Sequence, residues 1–180
     1  MRGRFIAVVG PSGVGKDSLM DAIAARDPHF VLARRVITRP SNAGGEFYEG
    51  VTVAEFQRRK SAGQFALSWA AHGLHYAIPM SVKVELQNGQ DVLANLSRAV
   101  LLHAQHYFAR FEVINLTADR TILADRLAAR SRETAEQIAN RLVRVPLRLP
   151  GGIIAHNIDN NGALESTVQV ALTCLYPVKA

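Results

Sequence analysis

The residues from Phe5 to Val9 are all apolar and run directly into Gly10. A short, continuously apolar run ended by glycine predicts a strand buried on both faces. From Asp17 to Arg26 the apolar positions Leu19, Met20, Ile23 and Ala24 fall at helical spacing and stop before Pro28, which predicts a helix. Apolar runs at 91–96, 111–116 and 153–158 predict further strands, and helical patterns at 97–108, 120–129, 134–145 and 163–175 predict the helices between and after them. Strands alternating with helices imply an α/β fold with a parallel sheet covered on both faces. The stretch from Thr38 to Tyr76, extending to about residue 80, breaks this pattern: it is polar and punctuated by glycine. We read it as an inserted substrate-binding subdomain within a single domain.

Composition narrows the partners. The 180 residues are 48% apolar and 20% charged, with a net charge of +6, as in ordinary globular chains that meet an anion. Arginines are spread along the sequence instead of gathered in a basic tail, which favours a phosphorylated small molecule over nucleic acid. Cys174 is the one cysteine, so no internal disulfide can form, and a reducing compartment is expected. The run after Met1-Arg2-Gly3-Arg4 is too short for an export signal and is cut off by the glycine loop. No stretch is long enough to span a membrane. The expectation is a cytoplasmic protein without nucleic-acid or membrane partners; the sequence leaves its oligomeric state open.

The chemistry concentrates in GPSGVGKDSL, Gly10 to Leu19. Gly10, Pro11, Ser12, Gly13, Val14, Gly15 and Lys16 have the spacing of a phosphate-binding loop, G-x-x-x-x-G-K-[ST], lying between a strand and a helix as that loop requires. The glycines let backbone N–H groups face phosphate oxygens, the helix N-terminus adds favourable charge, and Lys16 brings a mobile cation. Asp17 occupies the place of the usual hydroxyl residue. An acid in a helix's first turn gains about 0.3–1 kcal/mol from the dipole. Beside a triphosphate it would be repelled by about 4 kcal/mol at 4 Å and an effective dielectric near 20. A cation between the two resolves the conflict, so Asp17 is expected to bind Mg2+ with ATP, and Ser18 could share that role.

Several stretches resemble the guanylate kinase group of P-loop kinases. GPSGVGK matches that group's loop, Thr38-Arg39-Pro40 its T-R-P, and FALSWAAHGLHYAIP, Phe65 to Pro79, its F-L-E-W-A-x-V-x-G-x-x-Y-G-T-P stretch. Arg126-Leu127, Arg130 and Arg141-Leu142 match the arginines of its lid, here about 126–145. The resemblance implies a P-loop kinase three-layer fold with an inserted acceptor-binding subdomain and an arginine-bearing lid. The departures are as informative. The acid that reads guanine falls at Leu67, the hydroxyl after Tyr-Gly at Ile78, the second phosphate-binding arginine at Asn42, and the acidic D-I-D at Asn95-Leu96-Ser97. Losing hydrogen-bonding readers of a base removes discrimination for it.

GKDS, the ALSW…HGL…Y segment and the N-x-S-R of Asn95 to Arg98 are similar to the ribose 1,5-bisphosphate phosphokinases of phosphonate breakdown. That resemblance implies ATP-dependent conversion of ribose 1,5-bisphosphate to 5-phosphoribosyl 1-diphosphate, with release of ADP. The acceptor nucleophile is then an ionised phosphate oxygen, and no general base is needed. Lys16, Arg130 and Arg141 are the expected catalytic cations, with Arg132 a weaker lid candidate. Arg39, Tyr48, Tyr76, Ser97 and Arg98 are expected to hold the acceptor. Arg35 is read first as a surface charge at a strand edge, with a part in holding the 5-phosphate as the alternative, Trp69 and Phe65 as packing residues, and His72 and His75 as surface or packing residues. The loop 157–161 is expected beside adenine. The rival readings are a guanylate or other nucleoside monophosphate kinase, and a non-catalytic guanylate kinase-like binding module.

Overall fold

The computed structural model describes residues 2–40, 47–129 and 148–176. Its centre is a parallel sheet of β1 (Phe5–Val9), β2 (Phe30–Leu32), β7 (Asp91–Asn95), β8 (Phe111–Thr117) and β9 (His156–Asp159), in the order β2-β7-β1-β8-β9. Strand alternation explains the layers. Phe5, Ala7 and Val9 of β1 enter one buried cluster, with Val92, Leu101, Ala104 and Val113, while Ile6 and Val8 enter another, with Leu19, Ile23, Val168 and Ala171. The second cluster lies under α1 (Lys16–Arg26) and the C-terminal helix Leu164–Leu175; the first lies under a helix at Leu101–Tyr107.

A second sheet, ordered β4-β3-β6-β5, is built from β3 (Val36–Ile37), β4 (Glu49–Gly50), β5 (Phe65–Ala71) and β6 (Leu74–Pro79). Its two faces serve different layers. Val36 and Ala77 pack with Phe56 of α2 (Val53–Ser61), whose N-cap Thr52 accepts a hydrogen bond from the Glu55 N–H. The alternate residues Leu67 and Ile78, opposite each other in the β5–β6 ladder, join the cluster of the central sheet. The remaining helices are α3 (Val82–Gln87), α4 (Leu101–Tyr107), α5 (Arg120–Ala128) and α6 (Leu164–Leu175).

Two expected elements differ in detail, and a third is not described. The last strand begins at His156 and not at Ile153, because 151–155 form a turn and an irregular stretch in which Ile154 is 91% exposed. The helix expected at 97–108 opens as a 3-10 turn, Arg98–Val100, capped by the Ser97 hydroxyl, before α4 begins. The helical pattern at 134–145 lies outside the described residues.

At the opposite, N-terminal end of the sheet, Arg4 ties strands together. Its backbone N–H donates to Asp91 Oδ1 at 2.6 Å and its Nε to Oδ2 at 2.9 Å; Nη1 reaches Glu112 Oε1 at 3.0 Å and the Leu175 carbonyl at 2.7 Å.

Candidate active site

The carboxyl ends of β1, β7, β8 and β9 gather the polar residues, as open parallel sheets do where they bind ligands. The loop Gly10–Lys16 leaves β1 and becomes α1. Gly15 is the helix N-cap in the left-handed region (φ 94°), with no side-chain cap, so the first-turn N–H groups are left for an anion. A Cβ on Gly15 would stand 2.7 Å from Asn160 Nδ2, and one on Gly10 would stand 2.5 Å from the Leu116 carbonyl oxygen. Glycine is therefore required by close approach as well as by conformation. Lys16 Nζ donates to the carbonyls of Gly10 (3.0 Å) and Pro11 (3.1 Å), which folds the lysine back over the loop. Pro11, Gly13 and Val14 are buried, and Ser12 and Ser18 are exposed.

Asp17 lies on the first turn of α1. Its Oδ1 accepts a hydrogen bond from Asn95 Nδ2, at the end of β7, at 2.9 Å. Asp21, one helical turn on and open to solvent, has its carboxyl held above the ordinary value by partial desolvation and by the charge of Asp17. The pair makes this side of the loop attractive to a cation. Among the described residues no group of three or more His, Cys, Asp or Glu could hold a metal. Mg2+ fits the site nonetheless, since it is commonly held by one or two carboxylates together with substrate phosphates and water.

Beyond β7, Arg98 is half-buried, and burial lowers its pKa from the ordinary arginine value. Its Nη2 donates to Asn115 Oδ1 at 3.2 Å, and Asn115 Nδ2 donates to Asn157 Oδ1 at 2.8 Å. A polar chain thus crosses the ends of β7, β8 and β9. Asn160, just past β9 and 4% exposed, supports the phosphate loop from below: its Nδ2 donates to the Val14 carbonyl at 2.8 Å, while its Oδ1 accepts from Thr167 Oγ1 of α6 at 2.7 Å. Leu127 of α5 approaches Gly13. Next to it in sequence, Arg126 keeps Nη1 away from solvent, with no hydrogen-bond partner among the described residues.

The face of the second sheet that carries Leu67 and Ile78 also carries Trp69 and Tyr76. Trp69 and Tyr76 oppose each other there and stack, centroids 5.5 Å apart and 11° from parallel. Arg35 lies over the Tyr76 ring at 5.3 Å and donates from Nη1 to the Asn95 carbonyl at 3.1 Å. The reading of Arg35 as a surface charge is thereby corrected: it is 9% exposed, because it spans the gap between the two sheets. Arg39 Nε donates to the Tyr48 hydroxyl at 2.9 Å, and that hydroxyl donates to the Pro40 carbonyl. Tyr48 is 3% exposed. Leu67 and Ile78 are 1% and 0% exposed, sealed into the core where a base reader would have to reach outward. His75 stacks on Phe56, and His72 occupies the β5–β6 turn with φ 52°.

The structure brings together Lys16, Asp17 and the end of β7, and separately Arg39 with Tyr48. Ser97 spends its hydroxyl on the Ala99 N–H. Arg130, Arg132, Arg141 and Asn42 lie outside the described residues. Asn160 and Asn115 were missed as site-forming side chains, since an asparagine near a glycine reads as loop and a strand asparagine as surface; their sequence signal is position, near or just past the carboxyl end of a strand. Asn95 stood out in a motif and at the place of a lost carboxylate, but its bond to Asp17 was not foreseen.

No family model matches the chain. Over 180 residues, 99% of this chain and 95% of the relative, it is 49% identical to ribose 1,5-bisphosphate phosphokinase PhnN of Ruegeria sp. (strain TM1040). The chain belongs to the ribose 1,5-bisphosphate phosphokinase family. A second family member, from Agrobacterium fabrum (strain C58 / ATCC 33970), is 44% identical, with 95% of both chains covered. A bifunctional ribose 1,5-bisphosphokinase-thymidine phosphorylase of Cupriavidus necator is 47% identical over 165 residues, or 28% of its length. Membership makes this chain a kinase. The fold agrees: guanylate kinase from Anaplasma phagocytophilum superposes with a TM-score of 0.66 at 18% identity, covering 97% of this chain and 85% of its own. Among the described residues no helix is long and apolar enough to cross a membrane.

Proposed function

We propose that this kinase transfers the γ-phosphoryl group of ATP to the 1-phosphate of ribose 1,5-bisphosphate, forming 5-phosphoribosyl 1-diphosphate and ADP. The observation that carries the proposal is the 49% identity to a phosphokinase of that name over nearly the whole chain. The acceptor sheet supports it. Leu67 and Ile78 put buried hydrocarbon where a base reader would stand, while Arg39 and Tyr76 bring charge and hydroxyl, which suits a phosphorylated sugar without a base.

In this account the phosphate loop holds the triphosphate through its N–H groups, and Lys16 leaves the carbonyls of Gly10 and Pro11 to neutralise the β- and γ-phosphates. Asp17 would hold Mg2+, which would supply neutralisation of the developing charge on the transferred group. Tyr48 fixes the Arg39 guanidinium for the 5-phosphate, and Arg98 and Ser97 stand toward the ribose and its 1-phosphate. An oxygen of the 1-phosphate attacks the γ-phosphorus, the bond to the β–γ bridging oxygen breaks, and ADP leaves with that electron pair. The attacking oxygen is ionised at neutral pH, so rate comes from alignment and charge neutralisation, to which Arg130 and Arg141 add as the lid. The reading includes a cytoplasmic location and small-molecule partners alone.

Radiolabel tracing tests the reaction itself. With γ-labelled ATP, the label should appear in the terminal phosphate of the sugar 1-diphosphate and be lost on hydrolysis of that group. Label in inorganic phosphate alone would reject the transfer.

A further inference from the structure

In P-loop enzymes the nucleotide's metal is generally held by a hydroxyl on the loop helix and a carboxylate at the end of a neighbouring strand. Here the arrangement differs. The carboxylate, Asp17, is on the helix; the strand end carries a neutral amide, Asn95, 2.9 Å away. Asn95 is 9% exposed, and its backbone carbonyl is bonded to Arg35 Nη1 at 3.1 Å. Arg35 itself is packed on Tyr76 of the acceptor sheet. One residue therefore connects that sheet, through its backbone, with the first turn of α1, through its side chain.

We propose that Asn95 is a positioning residue for Asp17, engaging Oδ1 with its amide so that Oδ2 is presented to the metal. The inference rests on Asp17 as metal ligand. A carboxylate only accepts hydrogen bonds, so a donor at residue 95 fixes its orientation, whereas a second carboxylate at 2.9 Å would repel it in the metal-free protein. The amide orients without adding charge, which matters beside Asp21, whose carboxyl already feels Asp17. Arg35 holds the Asn95 backbone, so the donor keeps its place when the nucleotide is absent. Such outer partners of metal ligands commonly account for 10–100-fold in metal affinity.

The test is the Mg2+ concentration giving half of the ATP-dependent rise in Tm, with the ligand-free Tm as folding control. It is measured for wild type, Asp17→Asn, Asn95→Ala, Asp17→Ser and the double exchange Asp17→Ser/Asn95→Asp. Asn95→Ala should raise the Mg2+ requirement by about 10–100-fold with its ligand-free Tm preserved. The double exchange should regain much of what Asp17→Ser loses. An Asn95→Ala requirement within about twofold of wild type, while Asp17→Asn is impaired, overturns the positioning role and leaves Asp17 a ligand. Normal Mg2+ dependence in Asp17→Asn removes both ideas. Should Asn95→Ala unfold, Asn95→Leu, which keeps the volume and removes the amide donor, is measured in its place: a raised Mg2+ requirement supports the proposal, and one within about twofold of wild type rejects it.

Discussion

Removing the Asn160 side chain should weaken the fold and the nucleotide site together. Asn160→Ala deletes two buried hydrogen bonds, to the Val14 carbonyl at 2.8 Å and from Thr167 Oγ1 at 2.7 Å. Each is worth about 1 kcal/mol net, and stranding the carbonyl of a fully buried Val14 adds about 1–3 kcal/mol. Allowing for partial compensation by water, the loss is about 2–4 kcal/mol. For a chain of this size that lowers Tm by roughly 4–16 °C. Urea unfolding with linear extrapolation measures it. Thr167→Val removes the other end of the contact, so a double-mutant cycle should show a coupling of about 0.5–3 kcal/mol. Because the carbonyl belongs to the phosphate loop, ATP should also stabilise Asn160→Ala less than wild type. A loss under about 0.5 kcal/mol, with additive mutations, would refute the idea that this asparagine supports the loop.

Three other outcomes follow from the geometry. Lys16→Met should lower kcat by about 100-fold or more while leaving the urea midpoint nearly unchanged, and steady-state ADP release reads the effect. Arg4→Ala should cost about 3 kcal/mol by urea unfolding, because Asp91 at 2% exposure loses its guanidinium partner and keeps the backbone N–H of residue 4 and His29 at 3.6 Å, yet kcat of the remaining folded enzyme should be unaffected at the far end of the sheet. Tyr176 is raised to about 12 by burial and by the charge of Asp27, to which its hydroxyl donates. The folded state then keeps the phenolic proton more tightly than the unfolded chain, so this stabilisation is present below pH 10 and lost as pH rises from about 10 to about 12. Tyr176→Phe should flatten that part of the stability–pH curve.

The strand–loop–helix at 5–26 was legible because hydrophobic period, glycine spacing and the Pro28 stop all agree there. The second sheet was not. β3 and β4 are two residues each and become strands only by pairing across long sequence separation, which leaves no local periodicity to read. β2 has three residues, and its Leu32 is exposed. The site divided along similar lines. Lys16 and Asp17 stood out because a motif fixes their surroundings, and Leu67 and Ile78 stood out as departures from one. Arg35 was misjudged because its burial depends on a carbonyl sixty residues away in the chain, and Asn160 was passed over because its partner is a carbonyl of the phosphate loop. Contacts of that kind are made by tertiary structure and carry no signature in neighbouring residues.

The central claim is that the acceptor is a sugar bisphosphate and not a nucleotide. It is tested most directly by ADP release from Mg-ATP with ribose 1,5-bisphosphate and with GMP in parallel reactions, product masses being checked. The account predicts turnover with the sugar bisphosphate, a product heavier by one phosphoryl group, and no turnover above background with GMP. Turnover with GMP alone would contradict it, and would mean that some group other than residues 67 and 78 reads guanine.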